Sequence, residues 1–218
     1  MLQLNKVSIA LRGKIGLTAG QLGIINISKF FIFRRDYSGV LSQIEPDFEL
    51  NIRLILPEDI PEISQKLKVD LHENFSRGNG GMVATVGKDV VHWSLFACNS
   101  VYPEMIDGNI RLDSDSAYIF NMYTDPKHRG QRISVRVLDA ICSHLYLKGI
   151  TKFYVFIITS NSASIKSVSK VGFRKIALVK YSRFLNFRLF KITGNKENMI
   201  TLRRMLNVSA PNEICYVR

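Results

Sequence analysis

Tyr123-Thr124-Asp125-Pro126-Lys127-His128-Arg129-Gly130-Gln131-Arg132-Ile133-Ser134 lies between an apolar run and an amphipathic one, and its reading decides the fold. Ala117 to Thr124 reads as an apolar strand ended by Asp125-Pro126. From Ser134 a helix is expected, because Val135, Leu138, Ile141, Cys142 and Leu145 fall on one face, and Lys148-Gly149 supplies a cation and a C-cap glycine. A turn joining that strand to that helix points successive backbone N–H groups outward at a helix N-terminus. This is an anion site of the kind that suits a pyrophosphate, and Arg129 and Arg132 add charge beside it.

Downstream, Phe153 to Ile158 has no polar alternation and predicts a strand covered on both faces, and a second helix runs from Ser162 to Lys170 and stops at Gly172. Upstream, Ile52 to Ile55 predicts a short strand, followed by a helix with Pro57 in its first turn and Glu58 and Asp59 at the positive end of its dipole. Met82 to Val86 and Val90 to Phe96 form a hairpin across Gly87-Lys88-Asp89. The order is mixed α/β. The polar connection from Cys98 to Ser116 is long for a compact domain, and part of an acceptor site is expected there. Lys29 through Arg35 frames Phe30, Phe31, Ile32 and Phe33 with cations, as a buried edge strand or a peripheral membrane contact would.

Asn161-Ser162-Ala163-Ser164 and Lys170-Val171-Gly172-Phe173 follow the decisive loop by about thirty residues. The pair resembles the acetyl-CoA site of the GNAT superfamily of N-acetyltransferases. In that family a V-x-P-x-x-R-G-x-G-x-G/A loop binds the CoA pyrophosphate through backbone amides, and a later N-x-x-S/A…K-x-G-F segment holds the pantetheine arm. Arg129-Gly130 match its Arg-Gly, Asn161 its pantetheine-facing Asn, and Gly172-Phe173 its Gly-Phe, over roughly residues 51 to 180. The stretch from Val91-His92-Trp93-Ser94 to Tyr123-Thr124-Asp125-Pro126 is also similar to a subgroup associated with bacterial cell-envelope polysaccharide genes, which makes an amino sugar the favoured acceptor.

The resemblance implies a central mixed twisted sheet flanked by helices. It divides the chain into an N-terminal extension packed on the main domain (1–50), a GNAT domain (51–192) and a C-terminal tail (193–218). Acetyl-CoA would be bound by Met122, Tyr123, Thr124, Arg129, Gly130, Gln131, Arg132, Ile133, Ser134, Asn161 and Ser164. Transfer to a primary amine would be direct, with a backbone N–H of the central strand on the developing oxyanion. Tyr123 and His92 are the candidates for proton transfer, Glu104 the third; packing roles compete for Tyr123 and His92, and His72, His128 and His144 read as surface residues. Arg132 and Ser134 replace small residues of the family loop, and Val168 stands where many members carry the tyrosine that protonates departing CoA.

Charge is unevenly distributed. Of the net +12, residues 1 to 126 hold 12 Lys/Arg against 15 Asp/Glu, and residues 127 to 218 hold 18 against 3. The basic half should meet a polyanion, and CoA phosphates supply part of that demand, leaving an anionic acceptor or a membrane surface for the rest. Tyr181, Phe184, Phe187 and Phe190 interleaved with Lys180, Arg183, Arg188 and Lys191 also describe a nucleic-acid module, although a strand with one buried face has the same pattern, and nucleic acid is disfavoured as a partner. A third reading is a degenerate GNAT fold kept as a binding protein. Cys98, Cys142 and Cys215 are odd in number and far apart, so the expectation is no disulfide framework, no metal and a reducing cytoplasm. No stretch reads as a signal peptide or membrane span, and a monomer or homodimer is expected.

Overall fold

The computed structural model describes residues 24–39, 49–67, 71–76, 78–103, 105, 106, 108–184 and 187–207. Their contacts separate into two compact units, one made of residues 33–100 and 112–175 and the other of 24–32, 101–111 and 176–207 among those described. The strand β1 (Ile24–Asp36) runs through both units.

The first unit is a mixed sheet with the order β1, β8, β7, β4, β3, β2. β2 (Asn51–Leu54), β3 (Gly80–Val86), β4 (Asp89–Ala97) and β7 (Ser116–Thr124) pair antiparallel in turn, and β8 (Lys152–Ile158) joins β7 in parallel. A parallel pair needs a crossover, and α3 (Ile133–Tyr146) provides it. Its apolar stripe of Val135, Leu138, Ile141, Cys142 and Leu145 is buried, and it ends where Gly149 takes φ +88 and donates to the Tyr146 carbonyl. In β8, Phe153 to Ile157 are all buried, which is why the run shows no alternation.

A 3-10 turn (Pro57–Asp59), α1 (Ile60–Leu67) and α2 (Leu71–Ser76) follow β2. Asp59 fixes this turn: its carboxylate accepts from the Leu56 N–H at 2.8 Å and from both terminal nitrogens of Arg53 at 2.6 and 2.9 Å. Ile60, Ile63 and Leu71 then pack with Val83, Trp93 and Leu95 in one apolar cluster, against which Phe120 and Tyr123 also lie. α4 (Ser162–Lys170) closes the unit beside α3.

The second unit holds strands in the order β10, β9, β1. β1 therefore has a strand neighbour in each unit and is not the edge strand the sequence suggested; Phe30, Ile32 and Phe33 are buried. β9 (Arg174–Phe184) and β10 (Phe187–Gly194) form a hairpin in which Tyr181 faces Phe190, both buried with ring centroids 5.0 Å apart. These two aromatics form the inner face of a strand pair and offer no stacking platform to a nucleic acid; the side chains of Phe184 and Phe187 lie outside the described residues. The connection after β4 carries the two-residue strands β5 (Ser100–Val101) and β6 (Ile110–Arg111), paired with each other, and α5 (Lys196–Met205) packs on β6 and β10.

Candidate functional site

Two irregularities in β7 shape the site. Trp93 pairs with Tyr123 and Leu95 with Phe120, so β7 carries one residue more than β4 between these pairs. This is a β-bulge, and Asn121 takes the left-handed conformation (φ 47) within it. The extra residue changes which way the chain faces: Phe120 and Tyr123, an odd number apart, both pack on the cluster with Trp93 and Leu95. Thr124 is thereby turned to the other face, beside His92. Further along, the parallel pairing of β7 with β8 ends at Ile119 and Val155 although both strands continue. Asp125 donates its N–H to Val91 on β4, so by alternation the N–H groups of Met122 and Thr124 face the side on which β8 has parted.

The loop after β7 leads into a cavity of about 460 Å³ in the first unit. Asp125 caps the 3-10 turn Pro126–His128 by accepting from the Lys127 N–H at 2.9 Å. Gly130 then takes φ +83 and Arg132 φ +60, ψ 12. Glycine does this freely, whereas for arginine the left-handed region costs about 1–2 kcal/mol. Among the described residues no backbone carbonyl accepts from the N–H groups of Gly130, Gln131, Arg132, Ile133 or Ser134, and the side chain of the N-cap residue Arg132 does not cap α3. Five backbone donors at a helix N-terminus, with positive φ at two of them, are suited to a phosphate.

The cavity brings together every residue expected to bind the cofactor except Gln131, which does not line it. It also takes in His128, Val135, Ala163, Lys166, Ser167 and Lys170. Arg129, Arg132, Lys166 and Lys170 line it, and no carboxylate does. The two loop arginines differ. Arg129 donates Nε–H to the Thr124 carbonyl at 3.1 Å, bracing the loop against β7, while the exposed Arg132 lines the cavity. Asn161 caps α4: its Oδ1 accepts from the Ser164 N–H at 3.1 Å, and the Ser134 hydroxyl donates to the Ser167 hydroxyl at 3.1 Å, tying the two helices together.

His92 is fully buried, with Nδ1 2.8 Å from Thr124 Oγ1 and Nε2 2.8 Å from Ser94 Oγ. Burial pushes its pKa down to about 3, so the ring is neutral over the physiological range. Tyr123 stacks on Trp93 with ring centroids 4.2 Å apart, on the face where Lys66 lies 5.7 Å over the indole and bonds Glu62 at 2.6 Å. Glu104 and the side chain of His72 lie outside the described residues. His128 lines the cavity, and His144 is half-buried beside Phe96, its pKa lowered by burial and by Lys148; neither is the plain surface histidine expected. Val168 is wholly buried and does not line the cavity. The described part of the 98–116 connection contributes nothing to the cavity lining; Ile106 and Ile110 are buried and the Met105 carbonyl accepts from Ser28 in the second unit. Among the described residues no group of three His, Cys, Asp or Glu could hold a metal, and no helix is long and apolar enough to cross a membrane.

Residues 97–183, less than half of the chain, match the FR47-like protein family. No curated protein matches the sequence. A GNAT-family protein from Novosphingobium aromaticivorans superposes with a TM-score of 0.53 at 14% identity, over 72% of this chain and 64% of that one. This chain has the GNAT fold. A GCN5-related N-acetyltransferase from Kribbella flavida is similar to it at a TM-score of 0.51 and 10% identity, over 70% of this chain and 56% of the other. A Drosophila protein reaches 0.54 at 13% identity, over 82% and 59%. The chain therefore spans less than two thirds of the length of each of these proteins. The mixed sheet with flanking helices is the GNAT architecture that the paired motifs implied, and the cavity lies at the starts of the two helices that carry those motifs.

Proposed function

We propose that this protein is an acetyl-CoA-dependent N-acetyltransferase acting on a primary amine of a small molecule, with an amino sugar the favoured acceptor. The observation that carries the reading is the row of open N–H groups from Gly130 to Ser134, flanked by cations and adjoining the place where β7 and β8 part. The residues present fit the cofactor. The N–H row would hold the pyrophosphate, Ser164 and the α4 face would border the pantetheine arm, and the N–H groups of Met122 and Thr124 are the donors for the acyl oxygen. Acetyl-CoA supplies an acyl group activated as a thioester.

Direct transfer within a ternary complex is the reaction order we favour. No cysteine lines the cavity, and burial pushes the Cys142 thiol up to about 12, so a covalent acyl-enzyme has no thiolate nucleophile there. An amine that is ammonium near neutrality must lose a proton before attack. His92 is a poor acceptor for it, since both ring nitrogens are engaged and burial disfavours the imidazolium. Its role is to hold Thr124; the proton leaves through the Tyr123 phenol or water. A cytoplasmic location, where acetyl-CoA is made and used, goes with this reading.

A silent CoA-binding protein is the second reading, favoured by Val168 filling the core where the resemblance led one to look for an acid. Thermal unfolding with CoA, followed by an acceptor screen over amino sugars, polyamines, amino acids and peptide N-termini read by free CoA release, separates the two. CoA should raise the midpoint and at least one amine should release CoA above the blank. No shift at millimolar CoA overturns the family of readings, and a shift without release from any amine class favours the silent protein.

A further inference from the structure

We propose that Arg132 sets the nucleotide specificity of the cavity by contacting the 3′-phosphate of CoA, so that the protein discriminates CoA from its dephosphorylated form. This rests on the acetyl-CoA reading above. Three observations carry it. Arg132 holds a left-handed backbone that glycine would adopt without strain, in the middle of the N–H row; an outlier of this kind at a ligand-binding turn points to a use for the side chain. Arg132 is exposed and lines the cavity with no side-chain bond to the loop among the described residues, whereas Arg129, also exposed and in the lining, gives its Nε–H to the Thr124 carbonyl. The cations also exceed what one pyrophosphate demands: Lys166 and Lys170, one turn apart on α4, line the cavity together with Arg132, and no carboxylate offsets them.

The division of labour follows from geometry. Where left-handed residues turn successive N–H groups into one concavity, the anion sits among the N–H groups and the side chains leave on the outside. The pyrophosphate, with its two charges, is already served by five backbone donors. A side chain leaving the rim of that turn meets the next anion along the ligand, and in CoA that is the phosphate monoester on the ribose, which carries nearly two charges at neutral pH. A guanidinium presents a planar fork of donors to such a group.

Calorimetric titration of CoA and 3′-dephospho-CoA into the wild-type protein, Arg132→Gly and Arg132→Asn tests this. Glycine and asparagine both accept the left-handed backbone, so neither variant should fail to fold. The wild type should bind CoA about tenfold or more tightly than dephospho-CoA, the worth of one charge-assisted contact. Both variants should lose most of that preference through weaker CoA binding, with dephospho-CoA changed by less than about threefold, and the wild-type preference should shrink with added salt. Equal weakening of both ligands would place the arginine on the pyrophosphate, and an unchanged preference in either variant would place it in solvent; each overturns the proposal. A wild type that binds both ligands equally defeats this inference alone, whereas one that binds neither defeats the acetyl-CoA reading itself.

Discussion

The two helices that border the cavity begin in opposite ways. At the start of α3 five consecutive N–H groups have no backbone acceptor among the described residues, and the N-cap residue Arg132 makes no side-chain cap. At the start of α4 the chain satisfies three of its own donors: Asn161 Oδ1 takes the Ser164 N–H, the Ser160 carbonyl takes the Ser162 N–H, and the Asn161 carbonyl takes the Ile165 N–H. Both helices follow a strand and a turn, and both carry residues of the paired motifs. The first leaves a longer run of donors without a partner among the described residues. A helix N-terminus is suited to an anion when the sequence withholds its own caps, as Gly130, Arg132 and Ser134 do here.

The contrast is broken most directly by placing an acid at each helix start. Ser134→Glu should abolish the CoA-induced rise in thermal midpoint, which for a ligand at a hundred times its dissociation constant is worth about 2.7 kcal/mol. The unliganded midpoint should move little, since a carboxylate in a first turn offsets the lost Ser134–Ser167 bond. Ser162→Glu, at the start of α4 and outside the cavity lining, should keep most of the CoA response. Equal losses in both variants would mean that long-range charge, and not the open donors of α3, governs binding.

How much of this was legible depended on what local sequence can encode. The α3 and α4 spans, the hairpin and the mostly buried strand β8 were readable because periodicity and capping residues are local signals. The bulge that turns Thr124 toward the cavity and Tyr123 toward Trp93 was not, because an extra residue in one strand exists only relative to its partner's register. The same holds for the parting of β7 from β8. Lys166 and Ser167 were overlooked, and Ala163 and Lys170 were read only as parts of a motif, yet their spacing puts all four on one face of α4, a small and basic stripe that could have been read as the wall opposite the loop. The 98–116 connection read as polar and irregular, whereas its described residues include a short ladder and the buried Val101, Ile106 and Ile110, pairings that local sequence does not encode.

A smaller effect concerns the buried histidine that fixes the strand end from which the open loop departs. His92 has its pKa lowered to about 3 in the folded protein, against an ordinary value of about 6.5 when unfolded. The unfolded chain therefore binds a proton below pH 6.5 that the native state refuses, and stability falls as pH drops, with the full contribution present above 6.5. Between pH 7 and pH 5 the loss should be about 2 kcal/mol. Asp59 and Asp115, whose carboxyls are held low by Arg53 and Lys152, add their own acid sensitivity only below the ordinary carboxylate range. Urea melts of the wild type and His92→Gln over that interval check this: the variant should be less stable at pH 7 but lose clearly less on acidification. A parallel slope in both proteins would assign the proton to another group.

The smallest expected effect is the sharpest test of the comparison, because it removes a cap without touching the donors that matter. In Asn161→Ala the Ser164 N–H loses its side-chain acceptor, and replacing such a cap costs about 1 kcal/mol. The α4 start is exposed, so water satisfies the freed N–H and the loss stays near that figure. The Asn161 side chain spends its oxygen on the helix, leaving its NH₂ as the group that can reach a ligand in the cavity it lines. If Asn161 acts chiefly as a cap, the alanine variant should melt lower and bind CoA within about threefold of the wild type, less than one charge-assisted bond is worth. Asn161→Asp retains the acceptor oxygen and should recover the stability, while its charge beside Arg132, Lys166 and Lys170 weakens CoA binding further than alanine does. An alanine variant of unchanged stability whose CoA affinity falls tenfold or more would reverse the assignment: α4 would then be open to the ligand as α3 is, and Asn161 would belong to the cofactor rather than to the helix.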